Sequence, residues 1–271
     1  MLRTAFRVVG CPVAVGGSSD CLALLGRLLA PFAARSATLA PVAHVGRRSD
    51  GLYVLETPGH CSWGDFLTVI GECEWWLVGR CLAARDDLLQ LHGGAAADRR
   101  GAVLLPGVSG SGKTTLTLAL LARGLLPLAD DAILIDGAQG VVLPFARSFH
   151  VDGGTLSVVE RLGITRHLLL PDDLAPGYCR PRRWAPPSAP RLIVQPTYRP
   201  GQPLQLERLR PAQTWMVLAG ARLASGGAPD HFATVARLTE ELAAYRLWYP
   251  DAAAAAAAID ALLAEEGAAR G

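Results

Sequence analysis

The stretch Gly101–Asp131, GAVLLPGVSGSGKTTLTLALLARGLLPLADD, constrains this 271-residue chain more than any other. An apolar run suited to a buried strand leads into Gly107-Val-Ser-Gly-Ser-Gly112-Lys113-Thr114, which fits the phosphate-loop pattern at every fixed position and opens onto a helical pattern. Strand, glycine loop and helix in that order predict an α/β fold.

The residue types have chemical reasons. Gly107, Gly110 and Gly112 let the backbone turn tightly and approach a polyphosphate, so that N–H groups and the positive end of the helix face the anion. The expected phosphate-binding set is Gly107, Val108, Ser109, Gly110, Ser111, Gly112, Lys113, Thr114 and Thr115. Lys113 adds a mobile charge for the outer phosphates, and Thr114 offers a hydroxyl to Mg²⁺, which usually enters with the nucleotide. Lys113 is also the only lysine beside 25 arginines. In a chain that otherwise uses Arg throughout, it marks a position where a compact ammonium is required and a guanidinium fork would not fit.

The carboxylates Asp130 and Asp131 follow from simple dimensions. A loop helix over Thr114–Arg123, stopped by Gly124, carries the chain about 15 Å away, and the extended Leu125–Ala129 brings it back by about 16 Å. The pair is therefore expected beside the phosphates, where one carboxylate can contact Mg²⁺ and the other accept the proton of an attacking hydroxyl. By themselves two Asp residues would only end a strand and cap a turn; the computed position favours function.

Composition bounds the rest. A formal charge of +2 points to neither nucleic acid nor a membrane surface, and 51% hydrophobic content is ample for a core. The six cysteines show no CxxC pair and no zinc spacing, so they are expected to be reduced thiols. With no apolar run of membrane-spanning length, the expectation is a cytoplasmic protein with no membrane and no nucleic-acid partner.

Two domains are expected: a small N-terminal α/β module over residues 1–85 and a catalytic domain over 86–271. In the module, strands are predicted at Ala5–Val9, Pro12–Val15, Leu52–Glu56 and Phe66–Ile70, with one helix over Cys21–Ala34. The Glu72–Trp76 run suits a core or interface cluster better than a stacking platform. Further on, a helix is predicted at Ala83–Leu91, a hairpin turn at Arg99–Gly101, and a second hairpin of Ala132–Ile135 and Val141–Pro144 about Asp136–Gly140. Pro171–Pro190 reads as an irregular surface loop, Leu192–Pro196, Leu204–Arg208 and Tyr245–Tyr249 as strands, Thr234–Leu242 as a helix, and Asp251 as the cap of a terminal helix.

The segment His92-Gly93, then GAVLLPGVSGSGKTTLTLALLARG, then LADD resembles the catalytic domain of HPr kinase/phosphorylase and HPr-kinase-like proteins. The resemblance implies a phosphoenolpyruvate carboxykinase-like P-loop core, ATP and Mg²⁺ as cofactors, a peptide or small-protein acceptor phosphorylated on serine, and a homo-oligomer. It also implies Lys113 and the loop on the phosphates, Thr114 and Asp130 at the metal, Asp131 as catalytic base, and His92 as an assisting catalytic histidine. From the residue alone, His92 is simply a histidine in a turn. The family's ERGxG-like and PGRN-like segments, tied to phosphate removal and HPr docking, have no counterpart, and His150–Gly163 takes the place of the first. A kinase-only relative, similar to peptide-tailoring kinases, fits better. Arg147 is expected either to contact transferred phosphate or to lie on the surface. A kinase for a small hydroxyl compound and a non-catalytic nucleotide-binding regulator are the alternatives.

Overall fold

In the computed structural model, which describes residues 2–35, 38–223 and 229–268, the chain is a mixed α/β protein in two compact units. One unit runs to Asp86 and includes Asp172–Pro176; the other comprises Asp87–Pro171 and the chain from Gly177 onward. No helix among the described residues is long and apolar enough to cross a membrane, and all six cysteines are free.

The first unit opens with strands β1 (Leu2–Val8) and β2 (Cys11–Gly17). They are joined by Val9-Gly10, both in the left-handed region, as a two-residue hairpin whose turn matches strand twist requires. Helix α1 (Ser19–Leu28), β3 (Ala33–Ala34), β4 (Ala43–Arg47), β5 (Tyr53–Thr57) and β6 (His60–Gly64) follow, and the six strands form one sheet in the order β3-β1-β2-β4-β5-β6. Helix α2 (Phe66–Ala83) begins at Asp65, whose carboxylate accepts from the Thr68 N–H. The expected strand at Phe66–Ile70 is thus the first turns of a helix that buries Val69, Ile70, Cys73 and Leu77. The expected helix over Cys21–Ala34 stops at Leu28, because Pro31 supports only a short 3₁₀ turn before the chain rejoins the sheet as β3. Trp75 is 68% exposed, so the Glu72–Trp76 run splits between core and surface.

In the second unit, β7 (Leu89–Asp98) and β8 (Gly101–Pro106) form the hairpin expected at Arg99–Gly101. The helix expected over Ala83–Leu91 does not exist: α2 ends there and β7 begins. The loop Gly107–Gly112 leads to α3 (Lys113–Ala119), a 3₁₀ turn, and Gly124 in the left-handed region. Strands β9 (Leu126–Ala129), β10 (Ala132–Asp136) and β11 (Val141–Leu143) come next, then β12 (Phe149–His150), α4 (Gly153–Arg161) and β13 (Leu168–Leu169). The span expected as an irregular loop contains β14 (Tyr178–Pro181), the centre of a small β12-β14-β13 sheet, because Phe149, Leu168 and Cys179 need a common buried layer.

The remaining elements are β15 (Pro190–Tyr198), β16 (Gln205–Arg208), α5 (Pro211–Ala221), α6 (Pro229–Glu241), β17 (Ala243–Tyr249) and α7 (Ala252–Ala268). The main sheet runs β11-β10-β7-β8-β15-β17-β16, with β8, β15 and β17 parallel to one another and β9 paired to β7. Leu105, Leu116, Leu120, Val194, Leu247 and Ile259 join this sheet to α3 and α7 in one buried cluster. At about 1.5–3 kcal/mol per buried aliphatic side chain, that layer fixes the strand and helix on either side of the glycine loop.

Candidate functional site

The loop is shaped by glycines that no other residue replaces without strain. Gly110 and Gly112 have φ of +77° and +88°, and a Cβ on Gly112 would lie 2.1 Å from the Tyr249 hydroxyl. That hydroxyl donates to the Gly112 carbonyl at 3.1 Å, tying the loop to the end of β17. Ser111 Oγ is buried with no hydrogen-bond partner. Lys113 is buried, and its Nζ folds back to donate to the Val108 carbonyl at 2.6 Å. Burial pulls the Lys113 pKa down, against the opposing charges of Asp130 and Asp131.

The two acidic residues arise from a break in pairing along β7. Its first half, Leu89–His92, pairs with β10, and Ala95–Ala97 pairs with β9, so Asp130-Asp131 is the joint between them. Opposite the joint stand Gly93 and Gly94, where a Cβ would collide with Ile133 Cδ1 at 2.7 Å and Thr117 Oγ1 at 2.3 Å. The His-Gly-Gly sequence therefore lets β7 carry two partners and a helix at once.

Asp131 adopts φ +65°, one of two non-glycine residues with positive φ among those described. This left-handed step separates neighbouring carboxylates. Asp130 is 3% exposed and faces Thr114, whose Oγ1 lies 3.1 Å from both of its oxygens. Burial above all, then the charge of Asp131, pushes its pKa up to about 7, while the Thr114 hydrogen bond, Arg147 and Lys113 act the other way. Asp131 instead lines the cleft with its side chain 43% exposed, and accepts from Arg147 Nη1 at 2.8 Å.

His92 ties these parts together. Its carbonyl accepts from the Gly107 N–H at 3.2 Å, and its Nδ1 lies 3.0 Å from the Asp131 carbonyl, which also accepts from the Gly93 N–H at 3.3 Å. A carbonyl can only accept, so Nδ1 carries the proton, and in the neutral ring Nε2 is an acceptor. The holding of Asp131 in a conformation that costs roughly 1–3 kcal/mol is thereby over-determined from both its backbone and its side chain.

Together these residues border a cleft of about 660 Å³. It is lined by Ser109, Gly110, Gly112, Lys113, Thr114 and Thr115 from the loop and α3, and by His92 and Asp131 from the sheet. Gly107, Val108 and Ser111 belong to the same loop but do not line the cleft; Asp130 sits beneath it. Among the described residues no cluster of three or more His, Cys, Asp or Glu side chains could hold a metal ion. The donor set at hand is Thr114 Oγ1 with the Asp130 carboxylate, a hard, oxygen-only pair that suits Mg²⁺ when phosphate oxygens and water complete its shell. Lys113 and the partnerless Ser111 hydroxyl suit a polyphosphate.

Sequence reasoning left Arg147 between two roles and missed the far wall altogether. Arg147 is buried rather than on the surface, and it donates to the Asp131 carboxylate. The far wall comes from α4 and from the chain around Tyr198 and Tyr249–Ala252. Only the parallel pairing of β15 with β17, which brings Tyr198 opposite Tyr249, places it there. No protein-family model matches the chain, and neither does any curated protein.

Proposed function

We propose that this protein is an ATP- and Mg²⁺-dependent kinase that transfers the γ-phosphate to a serine hydroxyl of a peptide or small protein, with a phosphoenolpyruvate carboxykinase-like core. One observation carries the reading. A left-handed Asp131 presents its carboxylate to the same cleft as Lys113 and Thr114, while its neighbour Asp130 turns inward to the Thr114 hydroxyl.

In this reading Lys113 leaves the Val108 carbonyl and neutralises the outer phosphates, with the loop N–H groups around them. Thr114 and Asp130 hold the metal, which when bound withdraws charge from the phosphate oxygens. Asp131 accepts the proton of the acceptor hydroxyl as the hydroxyl oxygen bonds to the γ-phosphorus and the bond from that phosphorus to the bridging oxygen breaks, releasing ADP; Arg147 and His92 keep the carboxylate aimed. Most of the rate enhancement comes from positioning and charge compensation. The ion pair of Asp131 with Arg147 favours a second reading, a nucleotide-gated binding module in which Asp131 is a latch and no group is transferred.

Mass spectrometry after incubation with ATP, Mg²⁺ and serine-containing peptides, an HPr-like protein or small hydroxyl compounds separates them. The expected outcome is a phosphate mass gain on one class, lowered about 10²–10⁴-fold in Asp131→Asn while nucleotide affinity survives. ATP binding without transfer to any acceptor would sink the kinase reading and leave the binding module.

A further inference from the structure

The cleft has two unlike halves. Around the loop it is polar and suited to an anion; beyond it, the chain at the ends of β15 and β17 adds Tyr198, Pro250 and Ala252 as an apolar side, and α4 with its cap adds a mixed side that includes Asp152, Ser157 and Val158. Tyr198 is 49% exposed, and its ring is backed by buried Tyr249, with ring centres 5.7 Å apart. Its position relative to the loop is fixed twice over: the Tyr198 N–H donates to the Ser111 carbonyl at 3.2 Å, and the Tyr249 hydroxyl donates to that of Gly112. At the rim, Arg161 pairs with Asp251 at 2.7 Å. The other oxygen of Asp251 accepts from the Ala253 and Ala254 N–H groups, so this rim charge is already matched.

The Tyr198 side of the cleft has little to offer more phosphate. A half-exposed ring on a rigid backing, next to small apolar side chains, suits a flat aromatic group held by face contact. We infer that this half of the cleft binds the nucleoside of the phosphate donor, its base stacked on Tyr198; the inference rests on the proposal that the glycine loop holds a polyphosphate. The base lies outward from Ser111 and Gly112, and Tyr198 joins the binding machinery as a residue that distinguishes a nucleotide from a bare polyphosphate.

Calorimetric titration of the full chain with Mg²⁺ and either ATP or inorganic tripolyphosphate tests this. Tyr198→Ala is expected to weaken ATP about tenfold and leave tripolyphosphate within about twofold, whereas Tyr198→Phe, which keeps the ring, stays within about twofold for both. Equal losses for ATP and tripolyphosphate would mean that Tyr198 only props the loop and would overturn the inference. So would unchanged ATP affinity in Tyr198→Ala accompanied by a raised KM for the acceptor, which would assign the wall to the acceptor instead. A wild-type protein that binds neither ligand would bring down the loop proposal and this inference with it; tripolyphosphate binding with no gain from the nucleoside would bring down the inference alone.

Discussion

The two units bury charge very differently. Among the described residues, the first unit buries one acidic or basic side chain, Glu74, within an ordinary apolar core. The second buries Lys113, Asp130 and Arg147 about one loop, and His231 on α6. An isolated buried charge costs several kcal/mol, so the three about the loop persist together only because Asp130 is drawn toward its neutral form, Thr114 donates to it, and Val108 and Asp131 accept from Lys113 and Arg147. Such a concentration is expected where a site is organised at the expense of stability, and it distinguishes the unit that holds the candidate site from the other.

The contrast can be broken or sharpened by substitution. The largest effect is expected from Asp130→Asn. Because the fold raises this carboxyl from 3.8 to about 7, its neutral form is the one tolerated. The contribution of Asp130 to stability is therefore fullest below about pH 4 and is lost as pH rises through about 7. Asn removes that fall, so denaturant unfolding without nucleotide is expected to show the variant more stable at pH 8 by roughly 2–4 kcal/mol and little different at pH 4. A variant destabilised at pH 8 would mean that Asp130 is held charged by its neighbours.

Arg147→Gln comes next. Losing one member of a fully buried pair costs about 3–5 kcal/mol, but Asp131 is partly open to water, so the expected loss at pH 7 is nearer 1–2 kcal/mol. Unfolding curves that coincide with wild type would show that the guanidinium contributes nothing net to stability. Smallest of all is Trp75→Ala in the first unit. This exposed side chain lies away from the helix's buried face, and its removal should shift stability by less than about 0.5 kcal/mol. A larger loss would place Trp75 in a contact that a surface residue does not make.

What the sequence made legible follows the range of the interactions involved. From Gly101 to Asp136 each element is dictated locally: glycines where φ is positive, a strand ending at Pro106, a helix ending at Gly124, and a return of fixed length to Asp130. The loop and the acidic pair were accordingly readable as one constellation. Phe66–Ile70 misled because a short apolar run suits a strand and a helix equally; the Asp65 cap on Thr68 is the signal that decides it. β7 hides for the opposite reason: it is buried on both faces, so its Gly-Gly-Ala run shows no alternation. Neither the left-handed step at Asp131 nor the approach of Arg147 is local chemistry, and Tyr198 meets the loop only through a parallel pairing that sequence order does not reveal.

The clasp around Asp260 sets a timetable as well as a geometry. Arg100, in the turn before the loop strand, and Arg123, at the end of the loop helix, both grip Asp260 of α7, at 2.6 and 2.9 Å and across separations of 160 and 137 residues. A ribosome adding about 5–20 residues per second therefore leaves the finished loop and its helix without this cover for roughly 7–30 s. For that interval the apolar surface of α3 that α7 will cover is open to chaperones and to other nascent chains. The efficiency with which this protein is made should accordingly respond to translation speed between Arg123 and Asp260 more than to speed anywhere earlier.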